Sequence, residues 1–332
     1  MNGAAADLEQ VFRADLERIA NGFIEAFGLA FADADPNLSY PPYRWLEFVL
    51  LRYVPPTPRR VFLSRGFWRR AAEAPEEVRS AMDNFAQLVR RGEDVNAHQG
   101  RGLTAHDISS GTRQNPRTDL LLADFGIHHF HMTDKPVAPG AYSSRSDWLL
   151  FAVVRADTLL CVDLKRHPKG VGWAQKDVLK TAVQNWPGAF AEREVKGVTG
   201  GEWSDADITR MRTYGGNATH RVGTRVYGFL GGGLTSAGTP VRVHWMADRI
   251  QLEIEGLARQ FTDQNNAAVQ FCRDRGVQEP KFRLVLTSDG IAVREEATLV
   301  GVPLTAWPGL SAFVPPWAIS RLDAEVKRGS GH

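Results

Sequence analysis

The amino-terminal third of the chain has hydrophobic residues at helical spacing. They recur at every third or fourth position from Leu8 to Phe27, which predicts a long amphipathic helix over residues 5–29. The same spacing predicts helices over residues 43–53 and 75–91, and prolines or a glycine stand at the ends of these segments. The pattern therefore predicts a helical module in this part of the chain.

The middle of the chain changes to the pattern of strands. Short apolar segments predict strands over residues 127–132, 148–155 and 158–167, the last two joined by a tight turn at Ala156-Asp157. A helix is predicted over residues 174–185, before Trp186-Pro187. These elements predict a small antiparallel sheet.

The last part of the chain mixes both patterns. Strands are predicted near residues 222–230 and 241–245, followed by a long helix over residues 248–275. A hairpin is predicted for residues 282–286 and 291–295, because Ser288-Asp289-Gly290 is typical of a tight turn. We expect an α+β section here.

Length and composition set the domain organisation. A chain of 332 residues is long enough for two or three domains. We expect an α+β fold with a helical module (1–115), a central antiparallel catalytic sheet (116–200) and a carboxy-terminal α+β section (201–332). The longest apolar run has seven residues, well short of the ~20 of a membrane span. No signal peptide is visible, so we expect a cytoplasmic protein without a membrane partner.

Several common chemistries lack their motifs in this sequence. Cys161 and Cys272 are too few for a disulfide framework or a four-cysteine zinc site. The sequence contains no GxxxxGK[ST] phosphate loop, HExxH helix or GxSxG elbow. Gly231-Gly232-Gly233 follows a predicted strand without a helix start after it, so we predict a turn there. These absences argue against the motif-bearing nucleotide hydrolases, zinc peptidases and serine hydrolases.

The total charge of +2 hides one basic segment. Six arginines and no acidic residue lie between Arg52 and Ala71, interleaved with Phe62, Phe67 and Trp68. Guanidinium groups match phosphates and aromatic rings stack on bases, so the segment could follow RNA, with binding that weakens as salt rises. A solvated helix face whose aromatic residues belong to the core is the alternative.

Histidines are concentrated in the predicted sheet. His128, His129 and His131 lie in GIHHFHM, and His167 ends LLCVDLKRH. Alternate side chains of a strand face opposite sides. Since Phe130 marks the core face of the first segment, we expect His129 and His131 on the other face.

The same alternation applies to the strand over residues 158–167. Leu160, Val162 and Leu164 predict its buried face, with Cys161 and the charged residues opposite. One face of the sheet should then present a single cluster of ionisable side chains: His129, His131, Asp163, Lys165 and His167. Such clusters are candidate active sites because their members shift each other's pKa values. The alternative is a solvated strand surface.

Metal-independent RNA cleavage is the chemistry that suits these residue types best. It needs a base for the 2′-hydroxyl proton, an acid for the leaving 5′-oxygen and a cation for the transition-state charge. Histidine suits the first two roles because its pKa lies near 6.5. We predict His129 or His131 as the base, His167 as the acid, and Lys165 or Arg166 as the cation.

A family resemblance points the same way. The succession of a helix, GIHHFHM, a charged loop, WLLFAVVRAD and TLLCVDLKRHPKGVGW resembles the sheet of RelE-like toxin ribonucleases and the wider barnase–EndoU–colicin–RelE group. It covers residues 118–187, and GIHHFHM, LLFA and QNWP are also similar to a bacterial family without an assigned function. The group's basic last strand, with a nearby aromatic residue, is matched by Lys165, Arg166, His167 and Trp173.

The resemblance implies a bacterial endoribonuclease, toxin-like or defence-related, that needs no cofactor. Its partners would be RNA and an antitoxin or another protein. In this interpretation Arg145 and Arg166 contact the substrate phosphate, and Trp173 stacks on a base.

Three alternatives remain open. Asp147, an apolar strand and Asp163-Leu164-Lys165 resemble the PD-(D/E)xK nuclease core, in which two carboxylates hold Mg²⁺ for DNA cleavage. His129 and His131 could bind a transition metal with His167, and Asp163 could complete that site. A non-enzymatic nucleic-acid-binding or protein-interaction module with structural histidines is the third.

Overall fold

The computed structural model describes residues 3–29, 40–99, 120–133, 135, 143, 146–167, 175–214, 216–236 and 239–329. The described residues form eleven α-helices: α1 (Gly3–Ala26), α2 (Pro41–Glu47), α3 (Phe67–Arg70), α4 (Glu76–Arg91), α5 (Leu120–Phe125), α6 (Lys176–Asn185), α7 (Asp205–Thr213), α8 (Val241–Thr262), α9 (Ala267–Asp274), α10 (Pro308–Phe313) and α11 (Pro316–Gly329). They also form nine strands: β1 (Arg60–Leu63), β2 (His128–His131), β3 (Trp148–Val154), β4 (Thr158–Arg166), β5 (Thr219–Val222), β6 (Arg225–Gly228), β7 (Phe282–Thr287), β8 (Gly290–Glu295) and β9 (Gly301–Pro303). The predicted α+β class is confirmed. No described helix is both long and apolar enough to span a membrane.

The chain divides into two units in a way that the sequence pattern does not predict. One unit is Met1–Leu50 with Val243–His332, and the other is Leu51–Arg242. The predicted boundaries after residues 115 and 200 both lie inside the second unit. The reason is that β1 pairs with β4, while α1 packs against β7 and α11.

In the first unit, α1 packs through the apolar stripe that predicts it. Phe12 and Phe23 are fully buried, and the Phe23 ring stacks on Trp45 of α2 at 4.6 Å between centroids. The indole Nε1 of Trp45 donates to the carbonyl of Phe313, the last residue of α10, at 2.7 Å. Aromatic burial therefore connects both ends of the chain within this unit.

Buried carboxylates satisfy backbone donors in the same unit. Asp15 of α1 is fully buried and accepts from the backbone N–H of Leu284 in β7 at 2.9 Å. Glu253 of α8 accepts from the first N–H groups of α10, from Gly309 at 2.8 Å and Leu310 at 2.9 Å. The N–H groups of Gly309 and Leu310 would otherwise have no partner, because the first N–H groups of a helix have none within it.

Two predictions for the stretch after residue 240 are wrong. Residues 241–245, predicted as a strand, are the first turns of α8, and the helix predicted over residues 248–275 is interrupted between α8 and α9. The buried residues Val243, Ile250, Ile254 and Leu257 continue at helical spacing, which explains why a helix forms. Asn266 caps α9 by accepting from Ala268 N at 2.8 Å.

The second unit contains a four-stranded sheet in the order β1-β4-β3-β2. The predicted antiparallel arrangement of β2, β3 and β4 is confirmed. The unpredicted β1 adds a strand parallel to β4, so the sheet is mixed.

Helices cover both faces of this sheet. On one face, residues of α4 pack against residues of β2, β3 and β4: Val78, Met82, Phe85 and Val89 with Phe130, Leu150, Ala152 and Cys161. On the other face, residues of α6 pack against β3 and β4: Val178, Leu179, Ala182 and Val183 with Leu149, Phe151, Val153, Leu160 and Val162. We call these the α4 face and the α6 face. The solvated strand surface, which was the alternative to a candidate active site, is not formed.

Candidate active site

A β-bulge decides which side chains share a face. Between β3 and β4, Phe151 pairs with Asp163 whereas Ala152 pairs with Cys161, so the register shifts at this point. Paired residues lie on the same face, which places Asp163 on the α6 face and Cys161 on the α4 face. The expectation that Cys161 shares a face with Asp163 is therefore wrong, as is the expectation that Leu164 shares one with Val162.

Four of the five predicted catalytic residues lie in two rows across the α6 face. His129 and Asp163 both pair with Phe151, and His131 and Lys165 both pair with Leu149. The outer members of a row are two strands apart, about 10 Å at the usual strand spacing. The apolar side chain of β3 stands between them, so these residues do not form one compact cluster.

The fifth residue, His167, lies beside His131. Their ring centroids are 6.1 Å apart with 25° between the planes. The His167 backbone N–H donates to the Asp147 carbonyl at 2.6 Å, which holds the end of β4 against the start of β3. His167 is exposed and His131 is only 7% exposed. The pair thus joins a buried imidazole to one in contact with solvent.

The backbone before β3 holds the ring of His131. Its Nδ1 lies 3.1 Å from the carbonyl oxygen and 3.3 Å from the nitrogen of Ser146. His129 lies further along β2, with its ring centroid 6.5 Å from that of His131. His129 is 8% exposed, so solvent reaches this histidine row chiefly at the His167 end.

Asp163 and Lys165 belong to an alternating chain of charges. Arg70 Nε lies 3.1 Å from one oxygen of Asp163, and Lys165 Nζ lies 3.6 Å from the other. Lys165 also pairs with Asp177 in the first turn of α6. The two cations and two carboxylates compensate each other. Asp163, which is 1% exposed, is therefore a buried charge with counterions, and loss of a partner would leave its burial uncompensated.

Sequence reasoning missed both outer members of this chain. Arg70 ends α3 and also donates to Ser64 Oγ and to the Val162 carbonyl at 3.1 Å. Asp177 follows Lys165 by 12 residues. The signal available in the sequence is the Asp-Leu-Lys pattern itself, because two charges on a helix-covered strand need counterions on the covering elements.

Of the three predicted substrate-binding residues, the structure describes Arg166, which does not lie beside the histidines. Arg166 pairs with Trp148, and its guanidinium lies over the Trp148 ring at 5.6 Å from the centroid. Trp148 belongs to the α4 face, so Arg166 points away from Lys165, contrary to the prediction. Arg145 and Trp173 lie outside the described residues.

Neither metal alternative is supported by the positions of its ligands. Trp148 pairs with Arg166, which places Asp147 at the level of His167, four residues from Asp163. At the usual rise along a strand this separates the two carboxylate positions by about 13 Å, too far to share one Mg²⁺. Within the part of the chain that the structure describes, no three His, Cys, Asp or Glu side chains are grouped as metal ligands. This includes the proposed set of His129, His131 and His167 with Asp163.

His98, His128 and His220, the other described histidines of this unit, are buried packing residues. His98 Nδ1 lies 3.2 Å from the His131 carbonyl, and burial lowers the pKa of His98. Burial, together with His129 and Arg59, lowers the pKa of His128 to about 3. Burial also lowers the pKa of His220 to about 4, with Arg212 as the next cause. These imidazoles are neutral at pH 7.

The basic segment does not form one continuous polyanion surface. Arg52 and Arg59 are buried, and Arg59 donates to the carbonyls of Arg155 and Pro55, each at 2.8 Å. Arg60 pairs with Asp157 at 2.7 Å, and Arg70 belongs to the charge chain of Asp163. The two exposed arginines outside these pairs are Arg65 and Arg69.

Comparison with protein-family models, with curated proteins and with solved structures finds no match to this chain.

Proposed function

We propose that the protein is a metal-independent endoribonuclease in which His131 and His167 form the acid–base pair. The observation that carries this proposal is their adjacency, with ring centroids 6.1 Å apart at the solvent-exposed end of the α6 face. Two imidazoles at this separation can each come within hydrogen-bond reach of one phosphodiester group bound between them. Imidazole is the side chain whose ordinary pKa lies nearest to neutral pH, which suits it to proton transfer.

The environment assigns one role to each ring. In the tautomer in which Nδ1–H of His131 donates to the Ser146 carbonyl, Nε2 keeps its lone pair and is the atom assigned to taking the proton of the 2′-hydroxyl. His167 is exposed and serves as the acid that protonates the leaving 5′-oxygen. His129, adjacent to His131 and buried, is a positioning residue in this scheme.

Lys165 supplies the transition-state charge in this proposal, although it starts within ion pairs. Its partner Asp177 has a side chain that is 65% exposed, whereas Asp163 is buried. An incoming phosphate would therefore displace Asp177 and leave the pair with Asp163 in place. An exposed ion pair contributes at most about 1 kcal/mol, so breaking the pair between Lys165 and Asp177 takes little from the free energy of binding.

The test is cleavage of a fluorophore–quencher RNA oligonucleotide by the full chain, with and without EDTA, beside a DNA of the same sequence with Mg²⁺. We expect RNA cleavage that EDTA leaves unchanged, with 2′,3′-cyclic phosphate ends, since the 2′-oxygen attacks. His167→Ala and His131→Gln should each lower the rate by about 100-fold or more. His244→Ala, in the other unit, is the matched control and should keep full activity.

Three results would refute the proposal. They are full activity of folded His167→Ala, cleavage of DNA that requires Mg²⁺, and RNA binding without cleavage. The resemblance to toxin ribonucleases adds a cellular readout: expression in bacteria should slow growth, and His167→Ala should relieve the effect.

A further inference from the structure

The sheet of the second unit has one exposed edge. The two outer strands are β1 and β2. All four residues of β2 are buried, whereas Arg60, Phe62 and Leu63 of β1 are exposed and Val61 is half-buried. An exposed edge strand offers backbone N–H and C=O groups for pairing with another chain.

The register shows which backbone groups of β1 face outward. Arg60 N–H donates to the Asp157 carbonyl at 2.9 Å, and Ser64 N–H donates to the Cys161 carbonyl at 3.0 Å. Alternate residues of a strand direct these groups to opposite sides, so Arg60, Phe62 and Ser64 face β4. Val61 and Leu63 therefore direct their N–H and C=O groups away from the sheet.

The side chains at this edge are unusually apolar for an exposed strand. Phe62 is 41% exposed, Leu63 39% and Trp68, at the start of α3, 41%. Proteins usually protect an edge with charged residues or prolines within the strand, but the three residues after Arg60 are apolar. Trp and Phe are typical of the central residues of protein interfaces.

The charge around this edge is positive. Arg65 and Arg69 follow β1 directly, and among the described residues neither has a carboxylate within ion-pair distance. Arg69 reaches back over Gly66, where its Nη2 lies 3.3 Å from the position that a β-carbon would take. The backbone N–H of Arg65 donates to Asn185 Oδ1 at 2.6 Å, which holds the turn after β1 against the end of α6.

We propose that β1 binds an extended acidic segment of a partner protein, which adds a strand to the edge of the sheet. Main-chain pairing would use Val61 and Leu63, and alternate apolar side chains of the partner would contact Phe62 or Leu63. Its carboxylates would meet Arg65 and Arg69. A second copy of this chain would bring like charges together, and RNA would not use the outward-facing N–H groups, so an acidic peptide fits best.

The test is fluorescence anisotropy with the full-length protein and labelled peptides of about ten residues. One peptide alternates valine and glutamate, one alternates valine and lysine, and a third is the acidic peptide N-methylated at alternate residues. Two protein variants separate the contributions. Leu63→Pro removes an outward N–H, which an edge strand tolerates, together with the leucine side chain, so Leu63→Ala, which keeps the N–H, is its control. Arg65→Glu/Arg69→Glu reverses the charge, with Arg210→Glu on α7 as the matched control.

We expect binding of the acidic peptide, at least a tenfold loss of affinity with Leu63→Pro or with N-methylation, and a preference for the lysine peptide in the charge-reversed variant. His167→Ala should bind normally, which keeps this result separate from the proposed ribonuclease activity. Absence of binding at about 1 mM peptide would overturn the proposal. A second result would also overturn the proposal: RNA affinity that depends on Arg65 and Arg69 and does not change in folded Leu63→Pro, because that result assigns the edge to RNA.

Discussion

Replacing Asp163 by asparagine separates a structural from a catalytic role for this carboxylate. The side chain of Asp163 is 2% exposed and lies 3.1 Å from Arg70 and 3.6 Å from Lys165. One of its oxygens also accepts from the Leu164 N–H at 3.0 Å. Asparagine has the same shape and can keep that backbone hydrogen bond, so the substitution chiefly removes the negative charge between two cations.

The magnitude follows from the burial of the three groups. Removing one partner of a fully buried ion pair costs about 3–5 kcal/mol, whereas an exposed pair contributes at most about 1 kcal/mol. Arg70 and Lys165 have side chains that are 29% exposed, so solvent screens part of the interaction. We therefore expect Asp163→Asn to lower the free energy of unfolding by about 2–3 kcal/mol. For a unit of this size the melting temperature should fall by about 4–12 °C.

Urea unfolding and thermal unfolding of the full chain measure this effect. Asp177→Asn is the matched control, because it removes the exposed carboxylate bound to the same lysine and should cost at most about 1 kcal/mol. Combining Asp163→Asn with Arg70→Leu should cost less than the sum of the two changes, since both break one interaction. The reasoning is refuted if Asp163→Asn unfolds like the unmodified protein yet loses RNA cleavage, because Asp163 would then be catalytic.

Three further predictions concern stability. Gly231→Ala should lower the free energy of urea unfolding by about 2 kcal/mol or more, because the new β-carbon would collide with backbone carbonyls at the end of α5. Gly188→Ala, which has open space around it, should change it little, and equal losses for the two variants would contradict this packing. Arg212→Leu should lower the free energy of unfolding by about 3–5 kcal/mol at pH 7, because it leaves Asp124, 2.9 Å from Arg212 Nε in a buried pair, without its counterion. Since burial already raises the pKa of Asp124, this loss of stability should shrink at acidic pH, where the carboxylate takes up a proton, and a constant loss would exclude the pair as its cause. The pKa of His220 is about 4 in the folded protein, below its ordinary value of 6.5, so between those values only the unfolded chain takes up this proton. The free energy of unfolding therefore decreases by about 1.4 kcal/mol for each pH unit by which the pH is lowered in this range. His220→Leu should reduce the loss between pH 6.5 and 5 by about 2 kcal/mol, and an unchanged pH dependence would refute the assignment.

Local pattern determines the elements that carry the candidate site. Hydrophobic spacing predicts α1, α4 and α6, and apolar segments predict β2, β3 and β4. These predictions hold because the periods of helix and strand are properties of consecutive residues. The same alternation correctly places His129 and His131 on the face opposite Phe130.

Other features depend on residues far apart in the sequence. The bulge opposite Phe151 moves Cys161 to the α4 face, and no local signal marks it. The segment over residues 241–245 has a strand pattern but begins a helix, because its apolar residues continue the buried face of α8. The strand β1 forms because β4 offers it an edge, although its own residues are largely exposed.

The sequence by itself determined the strands β2, β3 and β4 of the central sheet and the charged residue types along them. Only the tertiary structure decided that helices cover both faces, that Arg70 and Asp177 neutralise Asp163 and Lys165, and that His167 lies beside His131. The physical reason is that alternation along a strand sets only the direction of a side chain. Whether that side chain meets solvent, a counterion or another imidazole depends on which distant elements pack against it.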